Sequence, residues 1–349
     1  MDEVVPRARR VSMTDVARIA GVSQKTVSRV INDEPYVTDS IRERVLAVVE
    51  QVGFRPNAAA RALVTQRSRR IGVVALGGTA FYGPSSVLAE VEAVSRKAGY
   101  ALSVVRTDPG AGADIQAAID TLAAQGAEGI VISEPVDFGK GLLTVPDGIE
   151  VLTFGMRPVT SSPRELIIGA DESSGARDAT EHLLVQGHAT VHHIAGPMNW
   201  QSSRSRRDGW RRALDDEGVS VVDPAESDWT PSGGYDAMRA LLSDAVATGV
   251  PCTAVFVAND QMAIGAMAAI RDAGLRVPHD VAIIGFDDID VAAFQAVPLS
   301  TVRQNFAETS RIGMHRLLRA LDGHAPGTAN RKLQAQLIIR ESSQITPAN

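Results

Sequence analysis

The sequence predicts an α/β protein, with a small helix-turn-helix head joined to a two-lobed body of parallel sheets. Two observations predict it. Three short helical patterns, the first two parted by a glycine turn, fill residues 11–56, and from Ile71 onward short apolar strands alternate with amphipathic helices. Such alternation gives parallel sheets with right-handed crossovers and ligand sites at the strands' C-terminal ends. Two runs of it, dividing near Ala170 and rejoining near Leu299, give two similar lobes with a cleft between them.

Residues 1–10 are charged, carry Pro6 and show no period, so a frayed tail is expected. A first helix spans about Thr14–Ala20, with Ser12 or Thr14 as cap and Asp15 favourable in its first turn. Gly21-Val22-Ser23 breaks it, and Ser23 caps a second helix over about Gln24–Asn32. After Asp33-Glu34-Pro35, Thr38 caps a third over about Asp39–Val52, with Ile41, Val45, Leu46 and Val49 on one face. Helix, tight turn and helix within about twenty residues is the helix-turn-helix signature. Its expected core is Val16, Ala20, Val27, Val30 and Ile41.

Gly53-Phe54-Arg55-Pro56 closes the head. Asn57–Val64 can form one or two helical turns capped by Asn57, too short to be stable alone in water. Residues 57–69 are therefore read as hinge helix and linker, and 70–349 as the body. Its predicted strands are Arg70–Ala75, Ala101–Arg106, Gly129–Ser133, Val151–Phe154, Leu166–Gly169, Thr190–Ala195, Ala254–Val257 and Val281–Gly285. Its predicted helices are Pro84–Ala98, Asp114–Gln125, Ser173–Gln186, Arg204–Asp216, Gly233–Leu242, Asp260–Ala273 and Ala307–Leu321. The expected division gives the first lobe about 70–170 and 299–330, and the second about 171–298 and 331–349.

Composition narrows the function class. With 44% apolar and 22% charged residues the chain has a soluble globular profile. No apolar run nears the roughly 20 residues that span a bilayer, and the N-terminus lacks a secretory core, so no membrane role is expected. The single cysteine, Cys252, excludes an internal disulfide and reads as a small buried filler. A cytoplasmic protein is expected. The net charge of −6 hides a division: residues 1–70 hold 13 Lys/Arg against 8 Asp/Glu, the remainder 22 against 33. A basic head on an acidic body suits a polyanion partner for the head alone.

From Met13 to Val74 the chain resembles the DNA-binding head of the lac repressor (LacI/GalR) family. The matching residues are Met13-Thr14-Asp15-Val16-Ala17, Ala20-Gly21-Val22-Ser23, Thr26-Val27-Ser28-Arg29-Val30-Ile31-Asn32 and Gly53-Phe54-Arg55-Pro56-Asn57, continuing into Ala60-Arg61-Ala62-Leu63 and Ile71-Gly72-Val73. The physics agrees. A recognition helix needs side chains near its N-terminus that reach base edges, and here these are Gln24, Lys25 and Arg29. Ser12, Thr14, Ser23, Thr26, Ser28, Asn32, Tyr36 and Thr38 are polar groups suited to phosphate contacts. For the hydroxyls, helix capping is the competing role. The resemblance makes Asn57–Val64, with Arg61, a hinge helix that folds on the operator, Leu63 the minor-groove wedge and Ala60 the small residue beside it. A short hinge helix needs a second copy, which implies a homodimer on a near-palindromic double-stranded operator.

The resemblance extends to about residue 343 through Glu181-His182-Leu183, Gly187-His188, Ala195-Gly196-Pro197, Gly209-Trp210, Ala258-Asn259-Asp260, Val281–Asp288, Leu299–Val302 and Arg340-Glu341-Ser342-Ser343. It implies a periplasmic-binding-protein-like body with two lobes joined by three crossovers. Arg206, expected to begin a helix, matches the family's ligand-gripping arginine, Asp287 its acidic partner, and Asn259 a donor and acceptor beside them. Trp229 matches an aromatic of the member that names the family, and its indole suits the apolar face of a pyranose. Ser133 and Gln304 are candidates from the first lobe and the crossover, Phe81-Tyr82 from the first strand–helix loop, and Trp200 from a loop that varies in the family. One departure stands out: Thr153-Phe154-Gly155-Met156 has no acid where that member carries a sugar-gripping aspartate.

The resemblance thus implies a repressor of carbohydrate-utilisation genes controlled by a mono- or disaccharide bound between the lobes. A nucleoside or purine corepressor, and a sugar-binding protein or enzyme, are the alternatives. No cofactor or metal is expected. Ile71–Gly78 runs into glycines without Gly-x-Gly-x-x-Gly spacing, and no P-loop or Gly-x-Ser-x-Gly elbow occurs. His182, His188, His192 and His193 lack a cysteine or carboxylate to complete a zinc set. The C-terminal Arg340–Asn349 has no leucine heptad, so a dimer is expected in place of a tetramer.

Overall fold

The computed structural model describes residues 11–32, 34–55, 62, 65, 67–76, 82–107, 112–133, 142–155, 159–325 and 331–344. The chain divides into two compact units, residues 1–68 and 69–349.

In the first unit, α1 (Met13–Ala20), α2 (Gln24–Ile31) and α3 (Asp39–Gln51) fall where helical periodicity places them. Ser12 closes a capping box on α1: Asp15 N–H donates to its Oγ at 3.2 Å, and Ser12 N–H donates to the Asp15 carboxylate at 2.9 Å. Ser23 caps α2 by accepting from Thr26 N–H at 3.1 Å. Thr38 holds the cap position of α3, yet its hydroxyl makes no capping bond. Val16, Ala17, Ala20, Val27, Val30, Val45, Val48 and Phe54 form the core, with Ile41 half-buried at its edge. Leu46, expected on the inner face, is exposed: the stripe 41, 45, 48, 52 keeps the helical period, and Leu46 lies more than about a quarter of a turn outside it.

In the second unit, β1 (Arg70–Leu76), β2 (Ala101–Thr107), β3 (Gly129–Ile132), β4 (Glu150–Phe154) and β5 (Glu165–Ala170) alternate with α4 (Tyr82–Lys97) and α5 (Gly112–Ala124). With β11 (Arg331–Leu333) they make a six-stranded parallel sheet in the order β11-β5-β4-β3-β1-β2. Apolar residues point to both faces, as a sheet covered on both sides requires. Ile71, Val73, Val131, Leu152 and Ile168 meet α4 and α10 (Phe306–Leu321), while Val74, Ile130, Ile132 and Val151 meet α5.

The second lobe repeats the plan with α6 (Glu172–Val185), β6 (His192–Ala195), α7 (Gln201–Asp216), β7 (Ala225–Glu226), α8 (Pro231–Thr248), β8 (Ala254–Val257), α9 (Asp260–Asp272) and β9 (Ala282–Ile284). Its parallel sheet runs β7-β6-β8-β9. One face carries Ile194, Val255, Val257 and Ile283 against α8 and α9; the other carries Phe256 and Ile284 against α6 and α7.

The lobe division differs from the expected one at two places. Residues 299–303 side with the second lobe: Ser300 bridges Ile284, Arg303 bridges Asp287, and Val302 packs in the second-lobe core. Strand β11 edges the first sheet through its pairing with β5, so the last crossing follows Leu333 and leads to β12 (Gln336–Ile338), antiparallel to β10 (Thr301–Arg303). Strands β7, β10, β11 and β12 have two or three residues each, too few for periodicity to announce them.

Helices α8 and α9 cross at glycine. A Cβ on Gly265 would lie 1.8 Å from the carbonyl oxygen of Pro231, and one on Gly234 would lie 2.2 Å from that of Met262. Backbone, not a flexible side chain, is the obstacle. Gly265→Ala is expected to cost roughly 1–3 kcal/mol or more of stability, measured by urea unfolding, despite alanine's better helix propensity.

Candidate functional site

On the head, α2 buries Val27 and Val30 and turns the opposite face outward. Gln24, Ser28 and Asn32 follow one another at i, i+4 and i+8 on that face, with Lys25 and Arg29 as a parallel row. Gln24 and Lys25 are exposed, and Arg29 is half-buried with Glu34 at 3.9 Å. Thr14, Ser23 and Thr38 are exposed, and Tyr36 is 93% exposed at a backbone φ of 76° that holds its ring away from the core. Ser12, Thr26, Ser28 and Asn32 are half-buried and locally bonded: Ser12 in its capping box, Thr26 to Ser23 at 2.9 Å, and Asn32 to Ser28 at 3.3 Å. Asn57, Ala60, Arg61 and Leu63 lie outside the described residues, as does Phe81 of the body.

In the second unit, a cleft between the lobes holds about 890 Å³ including its open mouth, a size suited to a small molecule. Tyr82, Ser133, Trp200, Arg206, Trp229, Asn259, Asp287 and Gln304 all line it. Arg206 is the centre. It lies in the second turn of α7, not at its start, because the helix begins three residues earlier than expected. Its side chain is 6% exposed, and its Nε and Nη2 donate to Glu172 Oε1 at 3.2 and 2.7 Å. Nη2 also meets Asp287 Oδ1 at 3.2 Å, and Nη1 donates to the Ala258 carbonyl. The guanidinium lies 4.1 Å from the Phe286 ring centroid and 5.5 Å from that of Trp229.

Asp287 follows β9 at a strained φ of 106°, fixed by its N–H to the Val302 carbonyl at 2.8 Å. Its Oδ1 accepts from Gln304 Nε2 at 2.8 Å. Burial pushes its carboxyl up to about 6, with Arg206 and the Gln304 hydrogen bond pulling the other way and the Glu172 charge adding to the rise. Behind it, buried Asp260 accepts from Thr301 Oγ1 at 2.6 Å and Ile289 N–H at 2.9 Å, and burial raises its carboxyl well above the usual range. Asp260 thereby staples β10 to the segment that follows β9.

Asn259 was expected to offer a donor and an acceptor to the ligand. Instead its Oδ1 caps α9 at Met262 N–H, 2.8 Å away, and its Nδ2 donates to the Trp229 carbonyl at 3.2 Å. It positions Trp229, whose φ of 72° is otherwise unfavourable. The indole enters a space left by Gly196, where a Cβ would stand 2.4 Å from the ring. Trp200, expected in a loop, lies just before α7 at its N-cap position and is buried edge-on to Trp229, with ring centroids 5.5 Å apart and planes at 63°.

Across the cleft, Ser133 Oγ donates to the Val74 carbonyl at 3.2 Å. Tyr82 begins α4 rather than sitting in the loop, and meets Phe306 edge to face at 6.0 Å. Burial is the main cause that raises the Tyr82 phenol. Val87, Phe154, Ile168 and Phe306 make the rest of this wall largely apolar. The nearby Glu165 does not replace the missing acid: its carboxylate accepts from Thr153 Oγ1 at 2.6 Å, from Val159 and Thr160 N–H at 3.0 Å, and from Thr160 Oγ1 at 2.8 Å. Glu172, Gln201, Gln261, Phe306 and Thr309 also line the cleft and escaped the sequence reading. Glu172 had a signal: a buried arginine needs a counter-ion, and an acid opening the helix after the first crossover can reach it.

Among the described residues, no group of three or more His, Cys, Asp or Glu could hold a metal, and no helix is long and apolar enough to cross a membrane. His182 meets Ser343 Oγ at 3.1 Å, His188 meets Thr253 at 3.0 Å, and His193 meets the Phe256 carbonyl at 2.9 Å between the rings of Trp210 and Phe256. Burial lowers all three and His192, and takes His193 to about 4. Burial also pushes the Cys252 thiol up to about 12, so it stays protonated.

Residues 12–57 match the model of the bacterial regulatory proteins, lacI family, and residues 180–343 match that of the periplasmic binding protein-like domain. The chain is 32% identical to the lactose operon repressor of Escherichia coli K12 over 95% of its own length and 91% of the relative's. It is 31% identical to the transcriptional repressor PurR of Haemophilus influenzae PittEE, over 95% and 98%. It superposes on the lac repressor dimer bound to operator and the anti-inducer ONPF with a TM-score of 0.83 and 28% identity, covering 97% of this chain and 100% of that one.

Asp287 gives a pH signature. Its folded-state value is raised above the unfolded one, so the native state takes up the proton first and gains stability as pH falls from about 6 towards 4. Unfolding followed by tryptophan fluorescence is expected to show wild type gaining on Asp287→Asn over that range, by on the order of 1–3 kcal/mol. A difference between the two proteins that ignores pH would contradict it.

Proposed function

Because this chain belongs to the lacI family of bacterial regulatory proteins, we propose that it is a homodimeric repressor of carbohydrate-utilisation genes whose operator affinity is set by a sugar in the cleft. The observation that carries the sugar reading is the Glu172–Arg206–Asp287 group facing an aromatic and apolar wall. Carboxylate and guanidinium groups exchange paired hydrogen bonds with vicinal hydroxyls, while Trp229 and Trp200 cover the C–H face of a ring. A purine is supported less well. A planar base binds best in a parallel slot, and the two indoles meet at 63°.

In the head, Gln24, Lys25 and Arg29 read base edges from the major groove, and the short hydroxyl side chains, with Tyr36, position the phosphates. Residues 57–64 fold as paired hinge helices on the operator, with Leu63 wedged in the minor groove. Occupancy of the cleft acts through the crossings between lobes on the spacing of these hinges.

A thermal-shift panel of mono- and disaccharides, followed by gel shifts on an upstream promoter fragment with each hit, tests the proposal. At least one sugar is expected to raise the melting temperature and to change operator affinity roughly 5–150-fold. A panel in which no sugar does both would remove it. Arg206→Ala is expected to abolish the response to that sugar and spare operator binding in its absence. Leu63→Ser is expected to weaken operator binding about tenfold or more while leaving sugar affinity intact; unchanged operator affinity would refute the wedge.

A further inference from the structure

The charged groups lining the cleft do not balance. Arg206 is the one cation on its described lining, and two carboxylates, Glu172 and Asp287, already converge on it. Their side chains are 13% and 10% exposed, so solvent screens them weakly. Behind the wall, the Asp288 cluster has two arginines against one carboxylate, but neither arginine lines the cleft. Asp288 is held by Arg303 and Arg340, each at 2.6 Å, and Asp260 by a hydroxyl and an N–H. The rim cavity beside the cleft brings Arg204, Arg212 and Lys332, but Asp171 and Asp208 share it, and Lys332 is paired with Asp171 at 2.5 Å. Helix N-termini at Gln201 and Gln261 offer partial positive charge, enough for a hydroxyl oxygen and smaller than the formal excess.

From this we infer that the cleft accepts uncharged sugars and rejects their phosphate esters and uronic acids, so that the protein senses its sugar before phosphoryl transfer. The inference rests on the sugar reading above and deepens it. A phosphate monoester carries about −1.5 to −2 charges at neutral pH. Bound here it would face a guanidinium whose charge is already matched twice over, without the second cation or free fork that phosphate recognition uses. Hydroxyls meet no such opposition, because the carboxylates accept from them. The source of the sensed form is then a transport or glycoside-hydrolysis step that leaves the sugar unphosphorylated.

Titration calorimetry on the full-length protein tests this with matched pairs: glucose and glucose 6-phosphate, galactose and galactose 6-phosphate, ribose and ribose 5-phosphate, cellobiose and its 6′-phosphate, and galactose against galacturonate. The free member of any pair that binds is expected to bind at least tenfold tighter than its anionic partner. Glu172→Gln, which removes one of the converging charges at nearly constant shape, is expected to narrow that gap severalfold. An anionic member that binds as tightly as the free sugar, or tighter, overturns the charge filter and leaves the sugar reading standing. A panel in which neither member of any pair binds overturns both. A wild-type gap that Glu172→Gln leaves untouched, in a variant with a normal melting transition, overturns the assignment to Glu172. If that variant does not fold, the wild-type comparison decides alone.

Discussion

A guanidinium with 6% of its side chain exposed cannot stand without counter-charge, and the second unit is arranged to supply it around Arg206. Desolvating an ion costs several kcal/mol, recovered only when paired charges and hydrogen bonds meet it in good geometry. Glu172 takes two of its N–H donors, Asp287 a further contact, the Ala258 carbonyl another, and Phe286 lies against its flat face. These four groups come from three places: the first turn of α6 (Glu172), the segment after β9 (Phe286 and Asp287), and the residue following β8 (Ala258). The positions of those elements are therefore tied to a single side chain on α7.

The same contacts reach the segments that join the lobes. Glu172 follows the crossing out of β5, beside Asp171, which pairs with Lys332 of β11. Gln304, on the crossing into α10, donates to Asp287. A ligand that draws hydrogen bonds from Arg206 or Asp287 thus changes the balance of forces at the crossings, which is the differential contact a conformational response requires. Under the proposed function, binding and lobe geometry share one network, so a sugar held by Arg206 and Asp287 would act on the response through the same contacts.

Much of the fold was legible because it rests on long periodic segments. Among the described residues of the body, every strand of four or more residues and every α-helix was foreseen, though α8 runs six residues past its expected end, since buried parallel strands and amphipathic helices write their periods into the chain. Strand β11 was not, because three residues carry no period and its place is set by pairing with β5. The site was half legible. Arg206 and Asp287 were named through the resemblance to the family and Gln304 as a lesser candidate from the crossover, whereas Glu172 and Phe306 look in one dimension like an ordinary first-turn acid and an ordinary apolar residue. Asn259 shows the converse: its type suggested a ligand contact, while its position at the start of α9 commits it to a cap.

That Glu172, Arg206 and Asp287 act as one unit is tested most directly by a double-mutant cycle on affinity for the tightest-binding sugar. Titration calorimetry of wild type, Glu172→Gln, Asp287→Asn and the double variant gives the coupling. The account predicts an interaction energy of about 1 kcal/mol or more, because each carboxylate's contribution depends on the charge the other leaves on Arg206. Effects that add to within roughly 0.5 kcal/mol would contradict it.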